Sequence, residues 1–259
     1  MSLAELLPRS MDPMAVFEKS PSELLGQDHD AARLKYLSRL SQKKIWVPRD
    51  QRAPTNQTVI VFDWDDTLLC TKWLAHASCK WQTTWFGTPK MPPAVEKILR
   101  GIERQVAALL AQAKKLGRVF IITNAQEGWV EHSAKQWAPG LIPAIEGVPV
   151  ISARSRFEAR YPNDVSMWKI QAFSELKKQL LGDMVTNLIS VGDAEYEMRA
   201  VRALGEEFEQ ATVKTVKLRD QPTPVELLKQ LQLVCQTFQT ITESGRDFRI
   251  TLVQKTAAT

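Results

Sequence analysis

The stretch Val59-Ile60-Val61-Phe62-Asp63-Trp64-Asp65-Asp66-Thr67-Leu68-Leu69 decides how the chain reads. Its first four residues are apolar without alternation, the pattern of a strand buried on both faces of a parallel sheet. Three carboxylates, Asp63, Asp65 and Asp66, then fall within four positions. Like charges this close repel, and burial adds to the cost. A cation resolves the conflict, either a metal or one carried by a substrate. Asp63 and Asp65 are two apart, so an extended backbone puts both on one side of the strand end. One such carboxylate can attack phosphorus while its neighbour handles a proton.

Working outward, residues 70–92 have no clear period and read as an irregular flap or hairpin carrying Trp73, Trp81 and Trp85. From Ala94 to Leu116 the apolar residues Val95, Ile98, Leu99, Ile102, Val106, Leu109, Leu110 and Ala113 form one helical stripe, and Gly117 ends it. A second buried strand, Val119 to Ile122, leads to Thr123 and Asn124. Next come a helix over Gln126–Trp137, a strand over Val148–Ser152, and a polar loop with Arg154, Arg156 and Arg160. A helix over Ser166–Leu181 carries Lys169, and the strand Asn187–Val191 closes on Gly192-Asp193. A helix over Ala194–Leu204, a strand over Thr212–Leu218, a helix from Pro224 to about Thr240 and an edge strand over Phe248–Val253 complete the order. Strand–helix alternation throughout predicts an α/β fold, a Rossmann-like doubly wound parallel sheet in a three-layer α/β/α arrangement. Ligands of such sheets bind at the carboxyl ends of the strands, where Asp63, Thr123 and Asp193 all fall.

The 259 residues are 44% hydrophobic and 24% charged, ordinary for a globular α/β domain with extensions. We place an N-terminal arm, partly helical, over 1–54 and the catalytic domain over 55–259. The net charge of +5 is mild, but residues 1–30 are mostly acidic and 31–52 mostly basic. The basic block reads either as a solvated helix face or as a surface for an acidic partner; nucleic acid is not favoured. Cys70, Cys79 and Cys235 show neither CxxC spacing nor a neighbouring His cluster, which fits a reducing compartment. No apolar run is long enough to span a membrane and no secretory signal opens the chain, so a cytoplasmic or nuclear location is expected.

The order Asp63-x-Asp65-x-Thr67, then a strand ending at Thr123, then a helical Lys169, then Gly192-Asp193-x-x-x-Glu197 resembles the haloacid dehalogenase superfamily. It is similar to that superfamily's phosphatase and phosphotransferase branches, since the dehalogenases lack the second aspartate. The resemblance covers about residues 57–220. It implies that Asp63 is the nucleophile, forming an aspartyl phosphate, and that Asp65 first protonates the leaving oxygen and then deprotonates water. It implies that Thr123 donates to a phosphoryl oxygen and that Lys169 offsets charge. Mg²⁺ would be held by Asp63, the main-chain carbonyl of Asp65, and Asp193. Thr67, Asn124 and Glu197 stand on the substrate side. Thr67 also suits the backbone turn. Glu197, where the family more often has aspartate, either reaches the metal through water or holds Lys169. Thr123 read alone could cap the next helix, and Arg154, Arg156, Lys177 and Lys178 compete with Lys169.

Caps choose the substrate in this superfamily, and the gaps 69–118 and 124–169 leave room only for a minimal cap. An open site suits a large phosphorylated substrate such as a protein, with Trp73, Trp81 and Trp85 either gripping it or packing on the core. The expected function is thus a Mg²⁺-dependent phosphatase. The alternative is a non-catalytic interaction or assembly subunit on the same fold, motivated by the long N-terminal arm and the tryptophans. A phosphotransferase or nucleotide phosphatase would use the same residues, but small-molecule members carry larger caps.

Overall fold

β1 (Thr58–Phe62) lies at the centre of a six-stranded, all-parallel sheet ordered β3-β2-β1-β4-β5-β6. Its neighbours are β2 (Arg118–Thr123), in register Ile60↔Val119, and β4 (Asn187–Gly192), in register Ile60↔Ile189. β3 (Val150–Ser152) flanks β2; β5 (Thr212–Lys217) and β6 (Phe248–Thr251) continue from β4 to the other edge. The structure is a computed structural model and describes residues 52–81, 90–180, 184–208 and 211–253. The N-terminal arm expected over 1–54 lies almost wholly outside the described residues, as does Trp85.

Eight helices are described: α1 (Thr71–Ser78), α2 (Pro93–Leu116), α3 (Trp129–Trp137), α4 (Ile142–Ile145), α5 (Ala153–Phe157), α6 (Val165–Gln179), α7 (Glu195–Glu206) and α8 (Pro224–Glu243). Successive strand residues face opposite sides of a sheet. Accordingly Ile60 and Phe62 belong to the core formed with α2 and α8, while Val59 and Val61 belong to the core formed with α6 and α7. This is a three-layer α/β/α fold, and the absence of alternation in β1 follows from burial on both sides.

Several stretches differ from the sequence expectation. Residues 71–78, expected within an irregular flap, form α1; its two buried residues, Thr71 and Leu74, are too few to make a periodic stripe. Trp73 and Trp81 pack partly buried against the core, the second of the two readings the sequence leaves open. The polar loop after β3 begins as α5, where the Ser152 hydroxyl caps the helix by accepting from the Ser155 N–H at 3.1 Å. Its arginines are engaged: Arg154 with Glu158 at 3.0 Å, Arg156 with Glu175 at 2.8 Å, and Arg160 over the Tyr161 ring. α3 starts at Trp129, three residues later than the sequence indicates, because Gly128 at φ +82° turns the chain first. Among the described residues, no helix is long and apolar enough to cross a membrane.

Candidate active site

The Asp63 N–H donates to the Val191 carbonyl at 2.9 Å, extending the β1–β4 ladder by one rung. That bond pins Asp63 at the carboxyl edge of the sheet, beside the end of β4. The chain then closes a tight loop: the Leu68 N–H donates to the Trp64 carbonyl at 2.9 Å and the Asp66 N–H to the Leu69 carbonyl at 2.7 Å. Trp64 is fully buried beneath it and donates its indole N–H to the Ser133 hydroxyl at 2.9 Å, anchoring the loop to α3. Asp66 adopts φ 58°, a conformation Asp tolerates, and its buried carboxylate pairs with Lys72 at 3.1 Å. Thr67 is fully buried in this turn and is not among the residues that line the cleft.

Three distant segments meet at this edge. Oxygens of Asp63, Asp193 and Glu197 lie within 4.8 Å of one another, and all three residues are buried. Lys169, on α6 and 1% exposed, places Nζ 2.5 Å from Asp63 Oδ1 and 3.0 Å from Glu197 Oε1, and also donates to the Ile122 carbonyl. Of the competing cations, Arg154, Arg156 and Lys177 pair with glutamates elsewhere and Lys178 is exposed. Glu197 approaches because Gly192 has no side chain: a Cβ there would lie 1.8 Å from Glu197 Oε2.

Charge is out of balance in this cluster. Burial pushes the Asp193 carboxyl up to about 7, with repulsion from Asp63 next in importance. Burial raises Asp63 as well, against the pull of Lys169, and raises Glu197, with repulsion from Asp63 adding to the effect. Lys169 is held protonated: burial opposes its charge, but Asp63 and Glu197 outweigh it. Three carboxylates face one buried ammonium, so the arrangement lacks positive charge. Buried oxygen donors short of about two positive charges suit a hard divalent cation. The cluster is therefore able to hold a metal ion.

Asp65 is placed differently. Its carboxylate accepts three side-chain hydrogen bonds: Thr71 Oγ1 at 2.5 Å and Trp129 Nε1 at 2.8 Å, both to Oδ1, and Thr123 Oγ1 at 3.0 Å to Oδ2. The Thr123 hydroxyl also accepts from the Ala125 N–H at 3.0 Å, so it serves both the backbone turn and Asp65. A cleft of about 320 Å³ opens over these groups, lined among others by Asp63, Asp65, Lys72, Asn124, Asp193 and Tyr196. Asn124 Nδ2 donates to the Val165 carbonyl at 3.0 Å, while its buried Oδ1 has no hydrogen-bond partner among the described residues.

The sequence-derived residues Asp63, Asp65, Thr123, Asn124, Lys169, Asp193 and Glu197 are thus gathered at one edge, and Thr67 is not in the cleft. Thr71, Lys72, Trp129 and Tyr196 were not singled out from sequence. The signal for Thr71 and Lys72 is only their place one turn after the acid cluster, and for Trp129 only the preceding glycine.

No family model matches the chain, and no curated protein sequence matches it. Among solved structures the chain is similar to a protein from Burkholderia xenovorans LB400 assigned as a haloacid dehalogenase-like hydrolase, at 13% identity and a TM-score of 0.35, over 63% of this chain and 84% of that one. A likeness of that degree bears on neither the chemistry nor the substrate.

Proposed function

We propose that the protein is a Mg²⁺-dependent phosphatase that hydrolyses a phosphate monoester through an aspartyl-phosphate intermediate. The observation that carries this reading is the convergence of Asp63 with Lys169, Asp193 and Glu197 at the end of β1, with Asp65 beside them over an open cleft.

In this reading an Asp63 carboxylate oxygen attacks phosphorus, and the bond from phosphorus to the leaving oxygen breaks. Asp65 gives its proton to that oxygen. Water then attacks the phosphoryl group, Asp65 takes up the water's proton, and the bond between phosphorus and Asp63 breaks to release phosphate. Lys169 offsets the negative charge brought together on Asp63 and the phosphoryl group. Phosphoryl transfer depends mainly on positioning and charge neutralisation, and these residues supply both. Asp63, Asp193 and the Asp65 carbonyl would hold Mg²⁺, which when bound neutralises phosphoryl oxygens. Glu197, tied to Lys169, keeps that lysine aimed at Asp63. A large substrate such as a phosphoprotein suits a cleft whose described surroundings pack onto the sheet core.

The test is Mg²⁺-dependent release of p-nitrophenol from p-nitrophenyl phosphate by the wild type and by Asp63→Asn. The expected result is turnover only in the wild type; equal turnover in both proteins would refute the mechanism.

A further inference from the structure

We propose that Trp129 is a positioning residue for the proton-transferring carboxylate of Asp65, with Thr71 as its partner on the same oxygen. The proposal rests on the phosphatase reading above.

The argument begins with what holds Asp65. Its nearest backbone neighbours belong to a loop, and a loop carboxylate has rotamer freedom that a reacting group cannot keep. Here three elements remove that freedom. Thr71 opens α1, Thr123 ends β2, and Trp129 opens α3; each sends one donor to Asp65. Two of the three, the Thr71 hydroxyl at 2.5 Å and the Trp129 indole at 2.8 Å, converge on Oδ1. Thr123 alone takes Oδ2, at 3.0 Å. Oδ1 is thereby fastened from two sides, and Oδ2 is the more lightly held oxygen and the one suited to exchanging a proton with substrate.

Trp129 is well built for this work. An indole N–H can only donate, so its bond to the carboxylate has one sense, whereas a hydroxyl can turn and accept. Its ring is itself fixed, edge-on to Trp137 with centroids 6.0 Å apart and stacked on His132 at 5.9 Å. Gly128 at φ +82° starts α3 where the ring reaches the cleft wall.

Trp129→Phe keeps an aromatic ring against Trp137 and deletes the donor. Thr71→Val deletes the other Oδ1 donor at near-constant shape. The readout is kcat/KM with Mg²⁺ on two esters: p-nitrophenyl phosphate, whose leaving group needs little protonation, and glycerol 2-phosphate, whose alkoxide needs it. Trp129→Phe should lower kcat/KM on glycerol 2-phosphate about tenfold or more, with kcat/KM on p-nitrophenyl phosphate changed much less, because only the leaving-group step distinguishes the two esters. Thr71→Val should show the same selectivity. Equal losses on both esters, or none, overturn the proposal while leaving the phosphatase reading intact. A wild type inactive on both esters defeats the phosphatase reading and this proposal with it. Independently of activity, the Trp129 indole N–H resonance should move in Asp65→Asn; an unmoved resonance removes the contact and overturns the proposal.

Discussion

Lys169 Nζ lies 2.5 Å from Asp63 Oδ1, joining α6 to the end of β1 across 106 positions of sequence. Both groups are buried, and the lysine's second carboxylate, Glu197, lies 3.0 Å away on α7. The ammonium therefore ties the nucleophile candidate to two helices on one face of the sheet. Removing one partner of such a set leaves buried charge without compensation. Lys169→Met is expected to lose about 3–5 kcal/mol of stability, along with activity. Urea unfolding of the two proteins checks this; coincident midpoints would show that the pair contributes nothing to the fold.

The deficit of positive charge around Asp193 makes two opposite predictions for one substitution. Without added metal, Asp193→Asn removes a carboxylate that faces Asp63 and Glu197, and should raise the melting temperature. With Mg²⁺ at about a hundred times its dissociation constant, the wild type should gain about 2.7 kcal/mol. The variant should gain far less. Thermal unfolding with and without Mg²⁺ reads both signs. Equal stabilisation of wild type and variant by Mg²⁺ would place the ion elsewhere.

Gly192 sits under Glu197 so closely that a Cβ would lie 1.8 Å from Oε2 and 3.3 Å from the Met198 side chain. Gly192→Ala should cost about 1–3 kcal/mol by forcing Glu197 away from Lys169. The cost should shrink sharply in a Glu197→Ala background, because the obstructing carboxylate is then gone. A double-mutant cycle measures this coupling. The same loss in both backgrounds would mean that the strain lies in the backbone.

Much of this arrangement is legible in the sequence because buried parallel strands leave an unmistakable trace. β1 and β2 carry unbroken apolar runs, β4 is apolar but for Asn187 and Ser190, and each hands a polar residue to the same edge: Asp63, Thr123 and Asp193. Lys169 is legible only by its place in the motif order, since nothing local marks a helical lysine as buried. What surrounds Asp65 is not legible. Thr71 and Trp129 reach it by loop closure, through Trp64 bound to Ser133 and through Gly128 at φ +82°. Neither contact leaves a period in the chain. The arginines after β3 mislead for the converse reason. Arg154 meets Glu158 at the i+4 spacing, just past the end of α5, whereas Arg156 meets Glu175 on α6, nineteen positions away, and a pair of that kind has no sequence signature.

At the opposite end of the sheet, Lys214 is fully buried on β5 and donates to Asn187 Oδ1 at 2.5 Å and to the Thr242 carbonyl at 2.9 Å. Burial pushes its ammonium from the ordinary 10.5 down to about 7, with Asp247 only partly opposing. Between those values the unfolded chain binds a proton that the folded chain does not. Stability from this residue therefore rises with pH from about 7 to about 10.5 and is flat outside that window. Lys214→Met removes the ionisable group, and the Thr242 carbonyl keeps another donor, Asn187 Nδ2 at 2.9 Å. The variant should be more stable than the wild type at pH 7. Its advantage should narrow as pH rises, by at most about 1.4 kcal/mol per pH unit. Urea unfolding at pH 7, 8 and 9 measures the gap, and a gap that stays constant across that series would show that Lys214 folds in its charged form.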